Sequence, residues 1–405
     1  MKKFAFILTL IIFASTAYSQ SSKVVSAYNY HKAGKLDKAK KAIDEAVVHE
    51  KTIADAKAWF YRGRIYFDIY LSDNEEYKNL DPDPVGVAYQ SFQKSLEYDV
   101  KGKYKDEILA KIPGIGEAYF NVGANKYNEG MQSLNVDSVA SVASFHESVS
   151  AFESAYSIYM QTGINDTATI YYISVASEFA HEYEKAKINM EKLIAMQYPE
   201  PAIYTSLGNI YYNQDKNTEK ALEIYAAGRE RFPNDLNLLL NETNIFLSEG
   251  LTEQALDNLK LAAEIDKTNP TIFFAIGAKY NEVVDDTTKT AEMREAAFPE
   301  AVMAYDKAIE LKPDYFDPNY NMGALYVNKA SSLIEIANEL PFEEQEEYDR
   351  LKAEADEYLN NSLPYLERAH ELDPDDMSTM ISLKEIYTRL KMTEQREAIN
   401  AEIGQ

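Results

Sequence analysis

The chain has 405 residues, and its 66 acidic and 41 basic side chains give a formal net charge of −25. Nucleic-acid binding needs clustered Lys and Arg to neutralise phosphates, and this balance argues against it. Cysteine is absent, which excludes disulfides, thiolate metal sites, a cysteine nucleophile and the lipid-bearing cysteine of a bacterial lipoprotein.

The first 19 residues have the pattern of a secretory signal peptide. Lys2-Lys3 precedes an apolar run at positions 4–14, and Ala17-Tyr18-Ser19 follows as a cleavage-like site before Gln20. The alternative is an uncleaved membrane anchor, but a span needs about 20 apolar residues and this run is shorter. We predict that residues 1–19 are removed and that the mature chain begins at Gln20. It then has no membrane span and is periplasmic or secreted from a bacterium.

From there on, apolar residues recur at helical spacing, in pairs of helices separated by short turns. The first pair covers residues 23–48 and has Gly34 at its turn. The second pair begins at Trp59 and is interrupted near residues 71–86 by a loop rich in Asp and Pro. We expect the repeated pairs to continue through this insertion.

The third pair is preceded and interrupted by extra sequence. Residues 103–111 predict an additional helix. Residues 113–116 predict a turn that ends this helix and precedes the start of the next one. An insertion near residues 129–147 follows, and within it a Ser-rich connector runs from 133 to 144. The sequence therefore predicts two breaks in this part of the chain.

The pattern is most regular from residue 167 to 313, with one insertion near residues 281–299. The eighth pair is lengthened near residues 330–361, where charge-rich helical segments flank Pro341. The additional residues of this pair leave two alternatives for the hairpin 326–361. It either projects as a helical arm or packs on a neighbouring pair, and periodicity does not decide between them.

Small and large residues alternate at fixed positions within the units. Gly208 and Ala221 fall where two helices would cross closely, whereas Tyr211 and Tyr225 fall where space remains to be filled. Pro233 then closes the second helix. This pattern favours stacked helix pairs over the alternative of an irregular helical domain.

The pattern resembles the tetratricopeptide repeat (TPR), a helix-turn-helix unit of about 34 residues. Trp59 to Tyr66 matches the first half of the consensus, with Arg62 in place of leucine, and the second half is matched by Ala301, Tyr305, Ala308 and Pro313. The resemblance implies an all-α, right-handed superhelical solenoid of about nine units with helical and loop insertions, in a single domain from 20 to 405. The first-half glycine or its substitute would fall at Ala27, Gly63, Gly123, Ser174, Gly208, Thr243, Gly277, Gly323 and Lys384.

The residues that catalysis or metal binding would need are scattered along the chain. The dipeptides His146-Glu147 and His181-Glu182 lack the second histidine of a zinc-binding HExxH helix, and no nucleophile elbow, phosphate loop or dinucleotide fingerprint occurs. We predict no catalytic residue, no cofactor and no metal site, and hence a protein that is not an enzyme. The five histidines are His31, His49, His146, His181 and His370.

The resemblance also implies a binding surface, because the first helix of each TPR unit lines a concave groove. The groove positions that it assigns here are rich in asparagine and aromatic residues, which suit an extended peptide or a glycan. The alternative is that these side chains merely pack between first helices. The candidate groove residues are Phe120, Tyr127, Tyr171, Glu178, Asn209, Tyr212, Asn244, Phe274, Asn281 and Tyr320.

These residues predict a scaffold that binds a protein or peptide partner in the groove. A subtype of the family that grips a terminal carboxylate is disfavoured, because Asn209 and Asn244 lack the basic residues that would accompany them. The alternative function is a carbohydrate-binding or small-solute-binding protein that uses the same aromatic and asparagine surface.

Overall fold

The computed structural model describes residues 22–164 and 166–404, and these are α-helical with no β-strand among them. The predicted signal peptide, residues 1–19, lies outside the described part. The chain divides into an N-terminal unit, residues 1–203, and a C-terminal unit, residues 204–405. We describe each unit by itself, and the single domain from 20 to 405 stays a prediction.

The N-terminal unit consists of successive helix pairs. Short turns join the helices of the first and fourth pairs, and α4 is a single turn within the second pair. The helices are α1 (22–32), α2 (Leu36–Val47), α3 (Ala56–Tyr70), α4 (Glu75–Lys78), α5 (Pro84–Tyr98), α6 (Lys105–Ser133), α7 (Ser138–Gln161), α8 (Thr167–Phe179) and α9 (Tyr183–Ala195).

The C-terminal unit continues in the same way, and the four helices of its seventh and eighth pairs are longer than the others. Together with the first unit, the described residues form nine helix pairs, which confirms the predicted all-α repeat fold. The helices are α10 (Ala202–Asn213), α11 (Thr218–Arg231), α12 (Leu236–Ser248), α13 (Thr252–Ile265), α14 (Pro270–Asp285), α15 (Ala291–Leu311), α16 (Phe316–Glu339), α17 (Gln345–Leu372), α18 (Met377–Arg389) and α19 (Thr393–Ile403).

Glycine allows the two helices of a pair to cross closely. A Cβ atom at Gly208 would lie 2.6 Å from Cε2 of Tyr225, and one at Gly277 would lie 2.5 Å from Cδ1 of Tyr305. Both distances are far inside van der Waals contact, so the ring of the second helix occupies the volume that a side chain would need. The predicted small residue at position 208 and large residue at position 225 therefore meet at one crossing. The same arrangement pairs Gly63 with Phe92, Gly123 with Phe152 and Gly323 with Leu366.

The predicted turn at residues 113–116 is wrong, because α6 runs through it as one helix of 29 residues. Pro113 leaves the carbonyl of Leu109 without its helical donor, but both residues face solvent, where water can supply the missing hydrogen bond. Gly116 is needed for packing instead of turning, since a Cβ there would lie 2.8 Å from the ring of Tyr159. The expected extra helix and the first helix of the third pair are therefore one element.

The predicted Ser-rich connector at residues 133–144 is also wrong, because α7 already begins at Ser138. Its buried serines serve as small residues at the crossing with α6. Ser141 Oγ donates to the carbonyl of Gly130 at 2.9 Å, and Ser148 Oγ donates to that of Gly123 at 2.8 Å. The insertion near 129–147 thus lengthens both helices of the third pair.

The hairpin 326–361 packs on its neighbours, which decides between the two alternatives. On one side the ring of Tyr358 lies 5.7 Å from that of Phe298 on α15. On the other side Arg389 of α18 donates from Nε to Asp356 at 2.9 Å. The turn that joins α16 and α17 is exposed, and Phe342 within it has 88% of its surface accessible to solvent.

Candidate functional site

The candidate residues of the N-terminal unit lie within an aromatic cluster between α6, α7 and α8. The ring of Phe120 lies 5.2 Å from that of Phe152 and 5.4 Å from that of Tyr172. Tyr127 approaches Phe145 at 5.4 Å and Phe179 at 6.1 Å. Such ring pairs stabilise the contact between helices, so these two candidates have a packing role.

Tyr171 and Glu178 lie on α8, beside the same cluster. The ring of Tyr171 stacks on that of Tyr198 at 5.6 Å, and partial burial raises the pKa of its hydroxyl. Burial also raises the pKa of Tyr127, and the charge of Glu178 adds to this effect. Tyr172, which the repeat pattern did not indicate, is the most exposed ring of this cluster, with 37% of its surface accessible.

Asn209, in the C-terminal unit, is already engaged at both ends of its amide. Its Oδ1 accepts a hydrogen bond from the Tyr225 hydroxyl at 2.8 Å, and its Nδ2 donates to Oδ1 of Asn241 at 3.4 Å. Tyr212, one helical turn further, donates from its hydroxyl to Glu249 at 3.4 Å. The Asn209 side chain therefore joins α10 to its second helix and to α12.

Asn244 lies on the open side of α12. Its side chain is exposed and makes no hydrogen bond within residues 22–164 and 166–404. Asn241 and Asn237 precede it by one and two helical turns, and Asn241 Nδ2 donates to the Asn237 carbonyl at 2.8 Å. We call these three residues and Asn209 the asparagine face. Asn237 and Asn241 were not among the predicted groove residues, although their spacing from Asn244 places all three on one side of a helix.

The remaining candidates do not join this face. Phe274 packs on Tyr305 at 6.1 Å and on Tyr315 at 5.5 Å, whereas Tyr320 stacks on Phe316 at 5.9 Å. Their rings are half-buried between helices. These contacts correspond to the alternative in which the groove positions fill space.

Asn281 differs from the other candidates in its polar environment. Its Nδ2 donates to Asp285 at 3.1 Å, but its Oδ1 is buried and has no hydrogen-bond partner in the described part of the chain. Asp285 also accepts a hydrogen bond from Asn328, and partial desolvation raises its pKa against these two amide donors. The end of α14 therefore carries a polar cluster that the repeat pattern did not indicate.

Three of the histidines contact carboxylates, at separate positions. His31 Nε2 lies 2.5 Å from Asp68, His146 Nδ1 lies 2.6 Å from Glu182, and His370 Nε2 lies 2.8 Å from Glu402. No group of three or more potential metal ligands is found between residues 22 and 404, with position 165 set aside. Over the same residues, no helix has the length and apolar character that a membrane span requires.

Comparison with known proteins gives a sequence match in one part of the chain. Residues 297–329 match a family model described as a TPR repeat, which covers most of α15 and the first half of α16. No curated protein matches the chain.

Similar solved structures share little sequence with the chain. The C-terminal part of a TPR repeat-containing protein from Cytophaga hutchinsonii is 16% identical, with a TM-score of 0.43, over 64% of this chain and 89% of that one. MamA is 17% identical, with a TM-score of 0.36, over 50% and 88%. YrrB, a TPR protein with an unusual peptide-binding site, is 18% identical, with a TM-score of 0.34, over 50% and 90%.

Proposed function

The chain is a member of the tetratricopeptide-repeat family, and from this premise we propose that it is a non-catalytic scaffold that binds an extended segment of a partner protein. The binding surface is the asparagine face of α10 and α12. The observation that carries the proposal is the exposed amide of Asn244, which has no partner of its own.

An extended peptide presents alternating backbone N–H and C=O groups, and an asparagine side chain offers both a donor and an acceptor to them. Asn209 and Asn241 are held in place by their mutual hydrogen bond, so part of the face is ordered before a partner arrives. A preorganised surface loses less side-chain entropy on binding. The fixed amides would therefore set the register of the peptide, and Asn244 would bind it directly.

The absence of charge on this face suits the same role. A chain with a net charge of −25 repels acidic segments over most of its surface. Along α12, however, positions 237, 241, 244 and 248 hold only Asn and Ser, and positions 205, 209 and 212 of α10 hold Thr, Asn and Tyr. A peptide can lie here with its backbone recognised and its charge largely ignored.

The test is selection from a random-peptide library on the full chain, followed by affinity measurements with the selected peptides. We expect Asn244→Ala to weaken their binding about 3- to 10-fold, which is the worth of one neutral hydrogen bond. Fluorescence anisotropy with a labelled peptide gives the dissociation constant.

Asn400→Ala provides the matched control. Asn400 is an exposed asparagine on α19, which is the second helix of its pair and not part of the proposed binding surface. It should leave both binding and melting temperature unchanged. Equal affinities for wild type and Asn244→Ala would show that the selected peptides bind elsewhere, and the asparagine face would be rejected as the site.

We further propose that the scaffold acts in the bacterial cell envelope or beyond it. The support is Lys2-Lys3, the apolar run at 4–14 and the cleavage-like site Ala17-Tyr18-Ser19 before Gln20. Expression in a bacterium, fractionation and mass spectrometry of the intact protein test this. We expect a periplasmic or secreted product that begins at Gln20, and a full-length cytoplasmic product would contradict the proposal.

A further inference from the structure

A cavity of about 350 Å³ lies between α14, α15 and α16 of the C-terminal unit. Its walls come from the end of α14, the first two turns of α15 and residues 328–336 of α16. We call it the insertion cavity, because the lengthened parts of these helices form it. Its volume is at the lower end of the range for sites that bind small molecules.

The regular repeats could not form this cavity. The first helices α10 and α12 have 12 and 13 residues, whereas α14 and α16 have 16 and 24. The second helix α15 has 21 residues, compared with 14 in α11 and α13. The lining residues thus lie in or next to the two insertions that interrupt the repeat, near 281–299 and 330–361.

Arg294 lines the cavity, and one donor atom of its guanidinium lacks a hydrogen-bond partner. Its Nε is buried and has no hydrogen-bond partner in the described part of the chain. A buried donor without a partner carries a desolvation penalty, which a bound acceptor would relieve. The guanidinium fork matches a carboxylate best, because two parallel hydrogen bonds can form.

Lys329, the other cation of the lining, is already neutralised. Its Nζ lies 2.5 Å from Glu295 and 5.7 Å from the centre of the Phe298 ring. Asp285 and Glu335 also line the cavity, which leaves one negative charge in excess. A ligand with two negative charges is therefore disfavoured, and one that adds a cationic donor for these acids is favoured.

We propose that the insertion cavity binds a small zwitterion with an apolar side chain, a free amino acid or a dipeptide, whose carboxylate pairs with Arg294. Its ammonium group faces Asp285 and Glu335, and its side chain contacts the apolar wall of Val284, Phe298 and Ile336. This site is separate from the asparagine face and would give the scaffold a small-molecule ligand in addition to its protein partner.

Calorimetric titration of the full chain tests the chemistry of the ligand. We expect leucine and leucyl-leucine to bind. The one that binds more tightly shows whether the ligand is a free amino acid or a dipeptide. Succinate, a dicarboxylate, and 3-methylbutylamine, which is leucine without its carboxylate, should not bind. The proposal is overturned if neither leucine nor leucyl-leucine binds, or if succinate or the amine binds as tightly as they do.

Two variants test the place of binding. Arg294→Gln should weaken binding of the zwitterion about 10- to 150-fold, as expected for a hydrogen bond to a charged group. Ser332→Trp should abolish binding by filling the cavity, and Ser332 is exposed, so this variant keeps the fold even if Arg294→Gln does not.

Arg350→Gln is the matched control, because Arg350 is an exposed arginine outside the cavity that pairs with Glu347 and Glu354. It should bind as wild type does, and so should Asn244→Ala. Unchanged affinity in both Arg294→Gln and Ser332→Trp would place the ligand elsewhere and refute the proposal.

Discussion

Tyr225 has no solvent-accessible surface, and its ring occupies the space beside Gly208 that a side chain would need. Its hydroxyl donates to Asn209 at 2.8 Å and lies 3.2 Å from the carbonyl oxygen of Thr205. The ring therefore fills the crossing of α10 and α11, while the hydroxyl holds one residue of the asparagine face. Packing and the binding surface meet at this one residue.

A larger residue at position 208 and a smaller one at position 225, separately and together, test this contact. Gly208→Leu should overpack the crossing and lower the free energy of unfolding by about 1 to 3 kcal/mol. Tyr225→Ala should lower it by about 3 to 5 kcal/mol through the cavity that it leaves. In the double variant the leucine can enter that cavity, so the combined loss should be smaller than the sum by about 0.5 to 3 kcal/mol.

Equilibrium urea unfolding of the three variants and the wild type gives the four free energies for this comparison. Strict additivity would mean that the two side chains do not share one volume. The single variants alone would not show this, because either could destabilise the chain for another reason.

Arg62 shows how a departure from the repeat pattern is explained by tertiary contacts. It stands where the TPR consensus has leucine, and its guanidinium lies 4.7 Å from the centre of the Tyr66 ring. Its Nε donates to Asp44 at 3.0 Å and its Nη1 donates to Ser91 at 3.0 Å, so the side chain joins α3 to α2 and α5. The sequence shows that arginine replaces the consensus leucine, but it does not show which carboxylate pairs with this arginine.

The same limit applies to the candidate site. The repeat register placed Asn209 and Asn244 on first helices correctly, because helical spacing fixes the side of a helix. It could not distinguish their roles, since Asn209 is bound by Tyr225 from another helix and Asn244 is exposed. That difference depends on contacts between residues 16 positions apart.

At the scale of the element, hydrophobic periodicity predicted the helix pairs well and their ends poorly. Pro113 predicts a turn because proline usually breaks a helix, but on the exposed side of α6 the freed carbonyl is open to water. The serines of α7 predict a connector because serine favours turns and caps. Buried against α6, Ser141 and Ser148 instead donate to helix carbonyls and allow close approach.

The insertions show what lengthening a helix pair achieves. The number of inserted residues can be counted from the sequence. Where the lengthened helices lie depends on their contacts with other helices. Lys329 of α16 pairs with Glu295 of α15, and Asp356 of α17 pairs with Arg389 of α18. The lengthened seventh and eighth pairs therefore contact each other, the eighth also contacts the ninth, and the cavity lies between α14, α15 and α16 of the two lengthened pairs.

At the scale of the whole molecule, two electrostatic effects oppose each other. Many ion pairs join residues one turn apart on exposed surfaces, such as Lys78 with Glu75 and Lys220 with Glu223, and each contributes little to stability because water and salt screen it. Against them stands the repulsion among 66 acidic side chains, which exceed the basic ones by 25. Added salt screens both effects, so its influence on stability shows which is larger.

We expect the repulsion to be larger, because the excess charge acts over the whole chain whereas each exposed pair acts locally. Raising NaCl from about 0.01 M to about 1 M shortens the screening length from about 30 Å to about 3 Å and should raise the melting temperature at neutral pH. Near the sequence pI of about 4.7 the net charge vanishes, and the same change in salt should give no rise. Calorimetry at both pH values provides this comparison. A melting temperature that falls with salt at neutral pH would show instead that the ion pairs outweigh the repulsion.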